Sequence, residues 1–264
     1  MNSYRIIKKW RDAKTSRCSA AMRAFFVSFF KAEGVTKYGN EAVPAPFFVY
    51  SSNVDGLFGK AGISSSEILE IHGNANVMQC ADGVNCKGKD AASHRYWSAS
   101  LPDAVNSAED LPQCPCCHKV CRPSVLMFDD EEWIGLEGEG TSDFELYDVW
   151  EEGVEAFMKE NEDASIVILE VGCGDNVPVV KMESETVLGD ITSVITEEGT
   201  KGLDRVASHV SLIRVNMKKS KYLDYHKEWS EGKSFIDKDS IVCLEGPCGE
   251  VLECLDGLMW GVCC

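Results

Sequence analysis

The sequence has no apolar run long enough to cross a bilayer. Its one dense apolar patch, Ala24-Phe25-Phe26-Val27-Ser28-Phe29-Phe30, falls well short of the ~20 residues that a spanning helix needs, and Arg23 and Lys31 bracket it closely. Positive charge is also scarce. The 26 Lys and Arg stand against 43 Asp and Glu, giving a net charge of -17 and a pI near 4.7. Affinity for a nucleic-acid backbone comes largely from Lys and Arg, so direct nucleic-acid binding is not expected. No segment reads as a secretory signal, which points away from a disulfide scaffold and toward a reducing compartment, cytoplasm or nucleus. Charge is uneven along the chain: residues 1 to 38 carry nine Lys or Arg against Asp12 and Glu33, and the body holds nearly all the acid. A basic, acid-poor start with serine and an apolar patch is also open to reading as an organelle transit segment.

Cysteine, by contrast, is plentiful, with thirteen in 264 residues. The odd total and a Cys-Pro-Cys-Cys run favour a metal site over paired disulfides. Cys80 with Cys86, then Cys114 with Cys117, form two knuckles able to surround one tetrahedral Zn²⁺, which prefers soft sulfur ligands. Cys116, Cys121 and His118 compete as ligands, but Cys114 with Cys117 has the usual two-residue spacing. Cys243, Cys248, Cys254, Cys263 and Cys264 leave a second metal site open, but their irregular spacing reads better as free, partly buried thiols.

Patterning places strands and helices in alternation. Phe47 to Ser51 is a short strand ending in the polar turn Asn53-Val54-Asp55-Gly56. Leu57 to Ala61 is a short helix stopped by Gly62, and Glu67 to Ile71 is a second strand ending at His72-Gly73. Ser124 to Phe128 reads as a third strand, and Val149 to Lys159 as a helix with Trp150, Val154, Phe157 and Met158 on one face. Ser165 to Val171 and Val210 to Val215 are apolar runs of the kind expected in a parallel sheet covered on both faces, and Val251 to Trp260 reads as a helix. Polar residues gather at strand ends: Ser52, Asn53 and Asp55; His72; Asp129 and Asp130; Gly172, Cys173 and Gly174; Asn216. In an open α/β sheet, ligands bind outside the carboxyl ends of the strands, so these residues point to one cleft. Each also has a plainer role as a turn or a bend.

The ordered motifs resemble the sirtuins, NAD-dependent protein-lysine deacylases. The resemblance runs through Tyr50-Ser51-Ser52-Asn53-Val54-Asp55-Gly56-Leu57, Ala61-Gly62, Ile71-His72-Gly73 and Gln79-Cys80. It continues with Leu111-Pro112-Gln113-Cys114-Pro115, Arg122-Pro123-Ser124-Val125-Leu126-Met127-Phe128, Glu170-Val171-Gly172 with Pro178, and Ile213-Arg214-Val215-Asn216, in the manner of a bacterial-type branch. It covers roughly residues 46 to 260.

The resemblance implies a Rossmann-like α/β fold with an inserted zinc module. Residues 1–73 and 122–264 form the NAD-binding domain, with 11–44 as an insertion, and residues 74–121 form the module. It implies that the acyl oxygen of a modified lysine attacks the nicotinamide ribose of NAD, with a histidine base activating a ribose hydroxyl. His72 matches that base, in keeping with the ability of an imidazole to accept a proton at neutral pH. Asn53 and Asp55 match the nicotinamide and ribose pocket, with Ser52 standing where many sirtuins have Gln. Gly172, Cys173 and Asn216 match contacts to the rest of the dinucleotide, with Cys173 in place of the usual Thr or Ser. The zinc ligands carry over as Cys80, Cys86, Cys114 and Cys117, and the metal as structural.

Asp129 replaces a glycine in the loop that, in sirtuins, pairs with the substrate backbone as an added strand. Nothing before Ser52 resembles the glycine-rich loop that holds the pyrophosphate, and Tyr4 to Trp10 looks like a segment that follows that loop in the family. The expectation is an N-terminally truncated chain. The implied partner is an acyl-lysine protein or peptide, with no membrane. The alternative function is a catalytically inactive, zinc-stabilised interaction module.

Overall fold

The computed structural model describes residues 2–35, 46–83, 85–86, 106–107, 110–134, 143–174, 177–196, 209–218 and 240–261. Its elements run α1 (Asn2–Arg17), α2 (Ala20–Ala32), β1 (Val49–Ser51), α3 (Leu57–Lys60), β2 (Ile68–Glu70), β3 (Gly73–Cys80), β4 (Cys121–Val125), α4 (Asp143–Glu160), β5 (Ile166–Val171), α5 (Val179–Thr196), β6 (Val210–Asn216), β7 (Ile241–Glu245) and α6 (Cys248–Trp260). The chain divides into two compact units, Phe30–Val149 on one hand and Met1–Phe29 with Trp150–Cys264 on the other. The fold is α/β with parallel sheets, as expected. The parallel strands fall into two sheets, however, with a third, antiparallel one between them in sequence.

In the unit Phe30–Val149, β1 and β2 pair in parallel with Ser51 opposite Glu70. Leu69 is fully buried in this pair, and Tyr147 of α4 packs against Phe48 and Tyr50 at ring separations of 5.3 and 5.1 Å. The strand expected at Ser124–Phe128 is corrected: β4 starts earlier and ends at Val125, antiparallel to β3. The register shifts between Asn74 and Met78, so a bulge separates the two halves of the ladder. Gln79, fully buried, explains where β4 leads. Its Nε2 donates to the Glu132 carbonyl at 2.8 Å and its Oε1 accepts from Ser124 Oγ at 3.1 Å, tying the following loop back to the sheet.

In the other unit, β5, β6 and β7 form a parallel sheet in that order. Helix α5 packs on β5 and β6 through a buried stripe that includes Leu188, Ile191 and Ile195. Val167 on β5 and Val242 on β7 stay exposed, so the sheet is open at those positions rather than covered on both faces. The basic start of the chain forms α1 and α2, and α1 lies along α6. Asp256 is the anchor: it accepts from Lys9 at 2.7 Å, from Trp10 Nε1 at 2.8 Å and from Trp260 Nε1 at 3.0 Å. No helix among the described residues is long and apolar enough to cross a membrane.

Candidate active site and metal centre

Strand pairing brings the first group of candidate residues together. Beyond Ser51 the chain turns through Ser52, Asn53, Val54 and Asp55, and beyond Glu70 through Ile71 and His72, both from the carboxyl edge of the same parallel pair. Three backbone bonds fix the arrangement. Ile71 N donates to Ser51 O at 3.0 Å, Ala75 N to Val54 O at 2.7 Å, and Leu126 N to His72 O at 2.9 Å. The Asp55 carboxylate accepts from Leu57 N at 2.9 Å, satisfying an otherwise orphaned donor at the start of α3. Gly56 between them has φ 62°, and Asn74 and Asn76 lie over it where a Cβ would project. His72 is half-buried, and its imidazole has no hydrogen-bond partner among the described residues.

Gly172, Cys173 and Asn216 meet at the carboxyl edge of the β5–β6–β7 sheet. Gly172, at φ 70°, donates its N–H to Val215 O at 2.9 Å, and Asn216 Nδ2 donates to Cys173 O at 2.6 Å. Asn216 Oδ1 accepts from Met217 N at 2.9 Å, so this side chain braces both turns leaving the sheet. Burial pushes the Cys173 thiol up to about 12, leaving it a neutral S–H donor to Val171 O at 3.7 Å.

The metal centre is formed by Cys80 at the end of β3, Cys86 beyond it, and the Cys114–Cys117 knuckle before β4. Sγ separations are 3.5 Å for Cys80 to Cys117, 3.6 Å for Cys86 to Cys114 and 3.8 Å for Cys86 to Cys117, and all four sulfurs lie within 4.8 Å of one another. Zinc with bonds of about 2.3 Å to a tetrahedron of thiolates needs sulfur separations of about 3.8 Å. The tetrad is therefore able to hold a structural zinc, with all four positions filled by protein. Burial pushes the Cys80 thiol up. At Cys114 burial acts the same way but is outweighed by the N–H groups of Cys117 and Cys116, which bring it down to about 7. Cys116 N points at Cys114 Sγ at 3.4 Å, as a donor to a thiolate would. The competing ligands stand outside the tetrad: Cys121 is buried against it with its thiol pushed up to about 12 by that burial, and His118 is exposed.

The loop after β4 is also built. Arg122 holds Asp130 through two bonds, Nη1 to Oδ2 at 2.7 Å and Nη2 to Oδ1 at 2.9 Å, and Asp130 accepts from the backbone of Met127 and Glu132. Asp129 takes φ 57°, so aspartate occupies the left-handed position where the resembling motif has glycine. Phe128 beside it is 90% exposed.

Sequence reasoning missed two polar groupings. Glu70, Asn74 and Asn76 interlink around the His72 turn, and Glu170, Ser184, Glu185 and Arg214 form a buried ionic cluster beneath the second sheet edge. A signal for the first was present: three polar residues at alternate or near-alternate positions interrupt an otherwise strand-like stretch.

Residues 40–136 match the model of the Sir2 family. Over 106 residues the chain is 31% identical to a NAD-dependent protein deacylase of Leptospira interrogans, covering 40% of this chain and 34% of that protein. It is 32% identical over 83 residues to NAD-dependent protein deacetylase 2 of Streptomyces coelicolor, covering 31% of each. It is 28% identical over 83 residues to the mouse NAD-dependent protein deacetylase sirtuin-3, covering 31% of this chain and 22% of that protein. The matched part thus spans a third or less of the length of several curated relatives. Motif order, sheet-edge geometry and the thiol tetrad agree with these matches, and residues 40–136 are similar to the Sir2 family.

Proposed function

We propose that the protein is an NAD-dependent protein-lysine deacylase that transfers an acyl group to the ADP-ribose of NAD with release of nicotinamide. The observation that carries this reading is the convergence of the Asn53–Asp55 loop and the His72 turn on one carboxyl edge of a parallel strand pair. The names of the relatives favour the same chemistry.

When bound, NAD supplies an electrophilic ribose carbon with nicotinamide as its leaving group. The residue types fit such a ligand. Asn53 offers an amide and Asp55 a carboxylate to a carboxamide and a ribose hydroxyl, and Ser52 is exposed on the same turn. The imidazole of His72, with no internal partner among the described residues, is available to take a proton from a ribose hydroxyl. Gly172, Cys173 and Asn216 are the proposed contacts to the rest of the dinucleotide. The Gly172 N–H is already engaged, so this glycine serves by allowing close approach. The zinc tetrad plays no part in proton transfer; it ties the end of β3 to the segment that leads into β4.

The test is calorimetric titration of zinc-loaded protein with NAD, followed by nicotinamide release on an acyl-lysine peptide. Saturable binding and release are expected, with His72→Ala lowering release by about 10²- to 10⁴-fold while zinc content stays unchanged. Absence of both binding and release from zinc-loaded protein would overturn the proposal in favour of an interaction module.

A further inference from the structure

Resting on the reading of His72 as the base, a second set of residues takes a role in the same site. Glu70 closes β2, two residues before His72, and its half-buried carboxylate accepts a hydrogen bond from the Asn74 amide. The Gly56 backbone N–H faces the same carboxylate. Asn74 Oδ1 accepts from Asn76 N at 2.8 Å and from Asn76 Nδ2 at 2.9 Å. Asn76 Nδ2 also donates to the Asp55 carbonyl at 3.0 Å, while its Oδ1 accepts from Lys60 Nζ at 2.9 Å. The chain of contacts therefore starts on one side of the His72 turn, crosses to the strand that follows it, and ends on the Asp55 backbone and on α3.

The backbone gives this arrangement its purpose. Among the described residues, one backbone hydrogen bond on each side, Ile71 N to Ser51 O and Ala75 N to Val54 O, otherwise joins the turn to the loop. The register shift between Asn74 and Met78 leaves Ala75, Asn76 and Val77 outside the paired positions of β3 and β4. A loop closed by so few backbone bonds drifts unless side chains hold it. Asn74 and Asn76 supply that hold, their amides lying over Gly56 where an added Cβ would have to displace them.

We infer that Glu70, Asn74 and Asn76 form a clasp that fixes the loop of Asn53 and Asp55 against the turn of His72, and that they are positioning residues for the proposed deacylation. Displacements near 1 Å at a reacting centre cost about 10²-fold in rate, so such a clasp acts on turnover more than on ligand affinity.

The experiment uses the full, zinc-loaded chain with Asn76→Ala, Asn74→Ala, Glu70→Ala and Glu70→Gln. Asn76 is exposed, so its replacement leaves the core untouched. Peptide-resolved hydrogen exchange is expected to show about 10-fold or more faster exchange across residues 53–57 and at Ala75 in the three alanine variants, with β5 and β6 unchanged. Glu70→Gln keeps an acceptor oxygen for the Asn74 amide and should stay within about threefold of wild type. Nicotinamide release should lose about 10-fold or more in kcat with KM for NAD nearly constant, a split that a merely structural role does not produce. Unaltered exchange across 53–57 in all three alanine variants overturns the clasp. Should wild type fail to turn over NAD, the functional proposal falls, and the exchange data still decide the clasp.

Discussion

Glu170 on β5 and Arg214 on β6 are register partners whose side chains meet at 2.8 Å with neither exposed beyond 2%. Arg214 Nη2 reaches Glu185 of α5 at the same 2.8 Å, and Ser184 Oγ donates to Glu170 at 2.7 Å. Burial works against the charge on Arg214, but its hydrogen bonds to Glu170 and Glu185 outweigh that and strengthen its proton affinity. Removing one partner from such a cluster strands buried charge. Arg214→Met is expected to cost about 3–5 kcal/mol, whereas the triple change Glu170→Met, Glu185→Leu, Arg214→Met should recover most of it. Urea midpoints of the full chain measure both. A single variant within about 1 kcal/mol of wild type would show that the cluster carries no such penalty.

The thiol tetrad makes a sharp distinction among neighbouring cysteines. Cys114→Ser should lose stoichiometric zinc and lower the melting temperature, because folding of a structural site is coupled to its metal. Cys116→Ser, Cys121→Ser and His118→Ala should each retain one zinc per chain. Metal-to-protein ratios after gel filtration decide the matter, and a Cys121→Ser protein without zinc would reassign the ligand set.

Local pattern made some of this readable and hid the rest. The β2 strand and its His72-Gly73 end were legible because apolar alternation stops there at a glycine with φ 84°. The tetrad was legible as two knuckles, and the spacing with the resemblance picked Cys80, Cys86, Cys114 and Cys117 from six clustered cysteines, the same four whose sulfurs the structure brings together. β3 was hidden because it opens with Gly73-Asn74-Ala75-Asn76, whose polar side chains face the loop they clasp. Helix α5 was hidden for a related reason: Lys181, Ser184, Glu185 and Thr192 lie on its buried face, where a hydrophobic stripe is the usual signal. The basic start showed nothing of its docking on α6, since Lys9 and Trp10 find Asp256 almost the whole chain away.

The Arg122–Asp130 pair ties loop stability to pH. Burial raises the Asp130 carboxyl, but the Arg122 guanidinium and the backbone donors of Met127 and Glu132 outweigh it and hold the carboxyl below its ordinary value. A carboxylate so lowered stabilises the fold above its unfolded pKa, about 3.9, and that contribution is lost as pH falls through the lower folded value. Asp130→Asn should therefore cost about 1 kcal/mol at pH 7, solvent screening keeping it at the low end. The cost should shrink toward zero in acid. Melting temperatures of both proteins from pH 7 down to about 3 test this, and a difference that does not narrow would refute the pairing as its source.

Gly73 follows the candidate base directly and holds φ 84°, and a Cβ built there runs into the Ser124 carbonyl of the paired strand β4. Both conditions penalise alanine: the backbone region is unfavourable for L residues, and the neighbouring atom is main chain that cannot rotate away. Gly73→Ala should cost about 2 kcal/mol or more and displace the His72 turn, because the strand must shift to admit the methyl group. Gly59 offers the matched control. It lies in α3 with open space where its Cβ would be, so Gly59→Ala should change stability by less than about 1 kcal/mol, in the stabilising direction. Equal denaturation midpoints for the two alanine variants would mean that the β3–β4 contact at Gly73 is looser than its geometry requires.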